Sequence, residues 1–263
     1  MSVGKGVNRF KEGDRVIALR PEGTGAFAEH CMLSSTTDII ITIPYSLSFD
    51  LATCLPVSYG TAYMILQKMA TERQGSSVLI LASRGTIGMS TIDLAQNVFK
   101  AQADELKVFG ASDTEEKLSK IRATGVHSTF NWNDKNFLKE LKKVTFDKGV
   151  DVIIDTVGGK QFEQALAGLK VGGYVISAGF SSGIIPSISL LDLHRSQATV
   201  CGIWLGGRPQ LDVENVLNSV ISLYDEGYLN VSIEKRYPLE KINDCIKDIK
   251  EENVFGKLLI DMH

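Results

Sequence analysis

The stretch VLILASRGTIGMSTIDLA, Val78–Ala95, decides how this chain is read. Val78, Leu79, Ile80 and Leu81 form a short apolar run of the kind that makes a strand buried on both faces. Gly85 and Gly88 then mark a tight turn, and helical spacing follows. A strand, a glycine turn and a helix in that order leave free N–H groups at a helix N-terminus, where they favour a phosphate. Ala82 stands where such turns usually carry glycine, and it adds only a methyl group. Glycine turns also serve plain strand-to-helix packing, so the surroundings must decide.

Working outward, apolar segments alternate with helical ones from about Leu51 to Leu205. SVLILA, LKVFGA, VDVIIDTV, GGYVISAG and ATVCGIWL read as strands, and TEEKLSKIRATG, KNFLKELKKVTF and KQFEQALAGLK as helices between them. Strands without a polar face that alternate with helices imply an α/β fold with a doubly wound parallel sheet covered on both sides. Val78–Leu81 opens that sheet, which is where a nucleotide turn belongs. Upstream, DRVIAL, GTGAFAEHCML and IIITIP read as short β segments. Downstream come a helix (VENVLNSVISLYDEG), an extended VSIEKRYPL, a helix (EKINDCIKDIKEE) and a strand (GKLLIDM). The expected division is 1–53 for a β module, 54–207 for the nucleotide-binding sheet and 208–263 for a return to the first module.

Composition removes several function classes. The 263 residues carry 28 basic and 31 acidic side chains, with no basic run interleaved with aromatics, so nucleic acid is not an expected partner. The four cysteines, Cys31, Cys54, Cys201 and Cys245, show neither zinc spacing nor a disulfide framework and read as reduced thiols. No apolar run is long enough to span a bilayer, and the first residues lack a signal-peptide core. The expected setting is the cytoplasm, or the mitochondrion if a preceding segment carries a targeting signal.

The second strand of such a sheet selects the dinucleotide. An acidic residue at its end holds the ribose hydroxyls of NAD, whereas a small residue followed by a basic one accommodates the 2′-phosphate of NADP. Here VFGASDTEEK places Ser112 at the tip and Lys117 in the next helix, which favours NADP. Asp113 keeps NAD open, and it also stands at capping-box spacing from Glu116. Arg84, Gly85, Thr86 and Ile87, at the turn and the helix start, are expected to meet the pyrophosphate.

Seven motifs in order, RFKEGDRVIAL, GAFAEHCML, LPVSYGTAYMIL, ASRGTIGMSTIDLA, DVIIDTVGGKQFEQAL, VISAGFSSGIIPSISL and FGKLLI, resemble the zinc-free quinone oxidoreductase branch of the medium-chain dehydrogenase/reductases. The resemblance spans essentially the whole chain. It implies a Rossmann domain, a GroES-like catalytic domain and NADPH-dependent hydride transfer to a quinone or an α,β-unsaturated carbonyl, without a metal. It places Thr61, Ala178, Gly179 and Phe180 beside the nicotinamide, Val157 and Gly158 near the adenosine half, Trp132 on the ribose side, and Asn253 on a loop that returns to the cofactor. It assigns no proton donor. Family members carry a further stretch of chain ahead of the GVNRFKEGDRV motif, so the GroES-like domain is expected to be partial here. The alternative function is a nucleotide-binding or assembly protein of the same fold without turnover.

Gly179–Gly183, GFSSG, matches the nucleophile elbow of hydrolases, but a helix must follow it at once, and IIPSISLLDL suits a loop. ATVCGIWL, Ala198–Leu205, reads as the outermost strand, apolar and uncharged; the resemblance implies that it pairs across a two-fold axis in a homodimer, and the alternative is that the chain's own GGRPQLD loop covers it.

Overall fold

The computed structural model describes residues 2–20, 25–72, 77–81, 86–99, 106–251 and 256–262. They cluster as two units, Met1–Gly60 with Leu205–His263, and Thr61–Trp204.

In the first unit, β1 (Val16–Leu19) pairs antiparallel with β2 (Ile39–Thr42). Ile39, Ile40 and Ile41 are buried, so this short sheet has an apolar face. The Arg15 guanidinium donates to the carbonyls of Pro44 and Leu47, at 2.6 and 2.7 Å, and lies over the Phe49 ring at 4.4 Å. That fixes the turn between β2 and α1 (Phe49–Ala52), whose N–H of Leu51 donates to the Ser48 hydroxyl. The β segment expected over GTGAFAEHCML is not found: residues 25–33 form no strand, and Phe27 and Met32 are exposed. The sheet has two strands among the described residues, and a third extended segment with no neighbour to take its N–H groups is not a strand.

The second unit begins along α2 (Gly60–Glu72) and follows the alternation read above. Its elements are β3 (Ser77–Leu81), α3 (Thr86–Leu94), β4 (Lys107–Ser112), α4 (Glu115–Ala123), β5 (Ser128–Asn131), α5 (Phe137–Val144), β6 (Val150–Asp155), α6 (Gly159–Leu166), β7 (Leu169–Ser177), α7 (Leu190–Ser196) and β8 (Thr199–Gly202). The strands form one parallel sheet in the order β5-β4-β3-β6-β7-β8. Counted from β3, this is the 3-2-1-4-5-6 order of the doubly wound fold. Every residue of β3 and of β6 is buried, which is why neither carries a polar face in sequence. Leu79, Leu81, Phe109, Phe130, Trp132, Phe137, Ile153 and Val175 belong to one apolar cluster of this unit. β8 closes the sheet as an edge strand.

The first unit resumes with α8 (Gln210–Asp225), β9 (Ile233–Pro238), α9 (Ile242–Lys250) and β10 (Lys257–Asp261), with β9 and β10 paired in parallel. Arg9 pairs with Glu214 at 3.0 Å, and the Gln210 amide donates to the Asp38 carbonyl, so α8 is fastened to the N-terminal part of the unit. No helix among the described residues is long and apolar enough to cross a membrane.

Candidate functional site

In a doubly wound sheet, the crevice lies beyond the carboxyl ends of the strands, where the order reverses. Here that point is between β3 and β6. Leu81 is in register with Ala111 of β4 on one side and with Asp155 of β6 on the other, and Asp155 is in register with Ser177 of β7. Four strand ends therefore lie side by side, and the segments leaving them carry most of the expected cofactor contacts.

The β6 end is built around one carboxylate. Asp155 Oδ1 accepts from the N–H groups of Val157 and Gly158, each at 2.9 Å, folding the chain sharply back. Asp155 is fully buried and its Oδ2 has no hydrogen-bond partner, so burial raises its pKa above the usual carboxylate range despite the two N–H donors. The Thr156 hydroxyl donates to the Leu81 carbonyl at 2.8 Å, tying this turn to the end of β3. Gly158 sits at φ +71°, and a Cβ there would lie 2.5 Å from the Ile184 carbonyl oxygen. Only glycine fits.

The β7 end is laced to the same turn. The N–H groups of Ala178, Ser181 and Ser182 donate to the carbonyls of Asp155, Thr156 and Val157, at 2.8, 3.2 and 3.0 Å. A Cβ on Gly179 would stand 3.2 Å from the Thr156 carbonyl, so this segment passes close against the β6 turn. Ala178 and Gly179 are partly exposed and Phe180 is 45% exposed, so this edge offers backbone and an aromatic face. After Gly183 no helix begins until Leu190, so the GFSSG segment lacks the strand–turn–helix shape of a nucleophile elbow.

The β4 end carries the polar side chains. Ser112 is fully buried and its hydroxyl donates to Asp113 Oδ1 at 3.2 Å. Lys117 Nζ reaches both Asp113 oxygens, at 2.7 and 2.8 Å, with the two side chains 7% and 19% exposed. The residue that caps α4 is Thr114, whose hydroxyl accepts the Lys117 N–H at 3.4 Å, rather than Asp113 with Glu116. Lys117 is thus held at its backbone by the cap and at its ammonium by Asp113.

The expected contacts divide accordingly. Ser112, Lys117, Val157, Gly158, Ala178, Gly179 and Phe180 come together on neighbouring strand ends, and Thr86 and Ile87, partly buried, open α3. Val157 is 2% exposed, its side chain belongs to the apolar cluster, and its N–H and carbonyl are taken by Asp155 and Ser182 within the turn. Thr61, in the first turn of α2, is 4% exposed. Trp132, expected on the ribose side, is 3% exposed and belongs to the apolar cluster. The cluster already holds Phe130 and Phe137, and the large indole adds its apolar surface to them. Arg84, Gly85 and Asn253 lie outside the described residues. Asp155 was not among the expected contacts, although an acid closing the strand VDVIID just before TVGG is a readable signal. Among the described residues, no three His, Cys, Asp or Glu side chains converge as a metal site.

Comparison with known proteins places this geometry in a family. A family model described as zinc-binding dehydrogenase matches residues 86–222. Quinone oxidoreductase-like protein 2 homolog of Nematostella vectensis is 34% identical over 99% of this chain and 70% of its own length. Among solved structures, a Pseudomonas syringae quinone oxidoreductase superposes with a TM-score of 0.85 at 24% identity, over 98% of this chain and 78% of its own. An Escherichia coli quinone oxidoreductase solved in complex with NADPH gives a TM-score of 0.83, also at 24% identity and over the same shares. Together with the 3-2-1-4-5-6 sheet, these matches show that the chain belongs to the quinone oxidoreductase-like branch of the medium-chain dehydrogenase/reductase family.

Proposed function

We propose that the chain is an NADPH-dependent reductase that transfers hydride to a quinone or an α,β-unsaturated carbonyl. The observation that carries this reading is the laced pair of turns after β6 and β7 at the reversal point of the sheet. Its two glycines, Gly158 and Gly179, let the two segments pass close against their own neighbours, where a Cβ would stand 2.5 Å from the Ile184 carbonyl oxygen and 3.2 Å from that of Thr156. They shape the edge at the carboxyl ends of the strands, which is where a dinucleotide binds in sheets of this order. The N-terminus of α3 at Thr86 favours the pyrophosphate, and Ser112 with Lys117 supplies polar groups beside β4 for the adenosine ribose. When bound, NADPH supplies the hydride; the chain's contribution is to bind, orient and shield. Ala178, Gly179 and Phe180 are the residues assigned to the nicotinamide side, with Thr61.

Calorimetric titration with NADPH, followed by NADPH consumption in the presence of a benzoquinone or an aliphatic enone, tests the reading. Tight binding with turnover of either acceptor class is expected. Binding without turnover of either would leave a nucleotide-binding protein and refute the reductase.

The assembly proposed with this function is a homodimer joined through Ala198–Leu205. β8 is an edge strand whose backbone faces no further strand among the described residues, and Trp204 beside it is 73% exposed. The Ile203 N–H bonds the Ser177 carbonyl of β7, so by the alternation of a strand the Gly202 N–H faces the free edge; Gly202→Pro removes it and is expected to convert the dimer to a monomer in light scattering. A monomeric wild type, or a folded proline variant that stays dimeric, overturns it.

A further inference from the structure

Read one by one, Asp113 and Lys117 are rival signals, the first for NADH and the second for NADPH. In the structure they are each other's partner. Lys117 Nζ lies 2.7 and 2.8 Å from the two Asp113 oxygens, and the Ser112 hydroxyl adds a third donor to the same carboxylate. Asp113 comes two residues after Ala111, the register partner of Leu81, so the pair stands beside the end of β3. Asn133 Nδ2 donates to the Asp113 carbonyl at 3.3 Å, and Thr114 caps the Lys117 N–H, so both backbones are held while the charges meet.

We infer that Asp113 and Lys117 set the nucleotide preference as an antagonistic pair, each masking the group that would select the opposite cofactor. This rests on the nucleotide-binding reading above. An unmasked aspartate at this strand end accepts the two ribose hydroxyls of NADH and repels a 2′-phosphate. With both oxygens taken by Lys117, it does neither well. An unmasked lysine at this position meets the 2′-phosphate as a point charge. With its ammonium directed to Asp113, it does so only in competition with a carboxylate four residues away. The preference of the wild type is therefore a balance, and removing either charge tips it in the direction that the survivor favours.

The pair is largely enclosed, so the competition takes place in a medium where charge interactions are screened less than in bulk water. The neighbouring acids, Glu115 and Glu116, occupy the first turn of α4 and are exposed. Solvent screens them, and they belong to neither half of the pair.

The test is calorimetric titration of wild type, Asp113→Asn and Lys117→Met with NADPH and with NADH. Asp113→Asn is expected to bind NADPH more tightly and NADH more weakly. Lys117→Met is expected to do the reverse, each moving the affinity ratio by about tenfold, the scale of one charge-assisted contact. Lys117→Arg keeps the charge and is expected to keep the sense of the wild-type ratio. Melting curves establish that the variants fold, and either folded variant alone suffices, since each has its own predicted sign. Equal losses for both nucleotides, or ratios that move the same way in both variants, overturn the antagonism while leaving nucleotide binding intact. A wild type that binds neither nucleotide overturns the nucleotide-binding reading, and this inference with it.

Discussion

Two aspartates stand at the same edge of the same sheet and live differently. Asp113, after β4, is partly exposed and both its oxygens are met by side chains, Lys117 and Ser112. Asp155, ending β6, is sealed from solvent; one oxygen holds two backbone N–H groups and the other holds nothing. Side-chain partners can be exchanged for a ligand, because a lysine can turn to a phosphate. Backbone partners cannot, because losing them undoes the turn. On the proposed function, Asp113 chooses what binds and Asp155 shapes the place where it binds.

If that distinction is right, the β6 turn should tolerate almost nothing. The largest effect is expected from Gly158→Val, which forces a branched residue into φ +71° and drives its Cβ toward the Ile184 carbonyl. Positive-φ strain alone costs about 1–3 kcal/mol, and the collision adds to it. Nucleotide binding is expected to vanish with a clearly lowered melting temperature. A variant that folds with native stability and binds NADPH would remove the β6 turn from the site.

Asp155→Ala comes next. It leaves the N–H groups of Val157 and Gly158 without their carboxylate in a buried turn, at a cost of about 2–3 kcal/mol. Denaturant unfolding checks it. A loss near zero would mean that the turn is held by its lacing to the β7 segment alone.

The contrast between these ends was only partly legible in the sequence. Strands buried on both faces announce themselves, and β3 and β6 were legible from their apolar runs, as were β4, β7 and the exposed edge strand β8. β5 was not: Ser128–Asn131 is four residues long and largely polar, and it is a strand only because β4 offers it an edge. The reverse failure is residues 25–33, which alternate like a strand but have no neighbour among the described residues. Pairing is a property of two segments, and one segment's pattern does not contain it. The same holds at the site. Asp113 and Lys117 stand four residues apart, a spacing at which opposite charges meet on a helix, yet Asp113 precedes the Thr114 cap, so helix rules did not join them.

Replacing aspartate by asparagine at both ends sharpens the comparison, because the shape is kept while the charge is removed. At Asp155 the expected result is a change in pH dependence. Burial raises its folded pKa above the unfolded value, so its contribution is fully present below the unfolded value and is lost as pH rises through the raised one. Wild-type stability should therefore decline, relative to Asp155→Asn, as pH climbs above the ordinary aspartate range. Melting curves of the two proteins across that interval should converge at the acid end and part with rising pH. Parallel curves would show that Asp155 ionises without cost and that its unpartnered oxygen is not a burden.

At Asp113 the same substitution is expected to do least to the fold. The ion pair with Lys117 is largely enclosed, at 7% and 19% side-chain exposure, and the loss is limited because an asparagine amide oxygen still accepts from the Lys117 ammonium. Asparagine retains an acceptor for the Ser112 hydroxyl, and the Thr114 cap and the Asn133 contact to the Asp113 carbonyl are untouched. The melting temperature should move by no more than a few degrees while the preference between NADPH and NADH changes. A large loss of stability would place Asp113 with Asp155 among the groups that build the edge of the sheet, and would erase the division of labour between them.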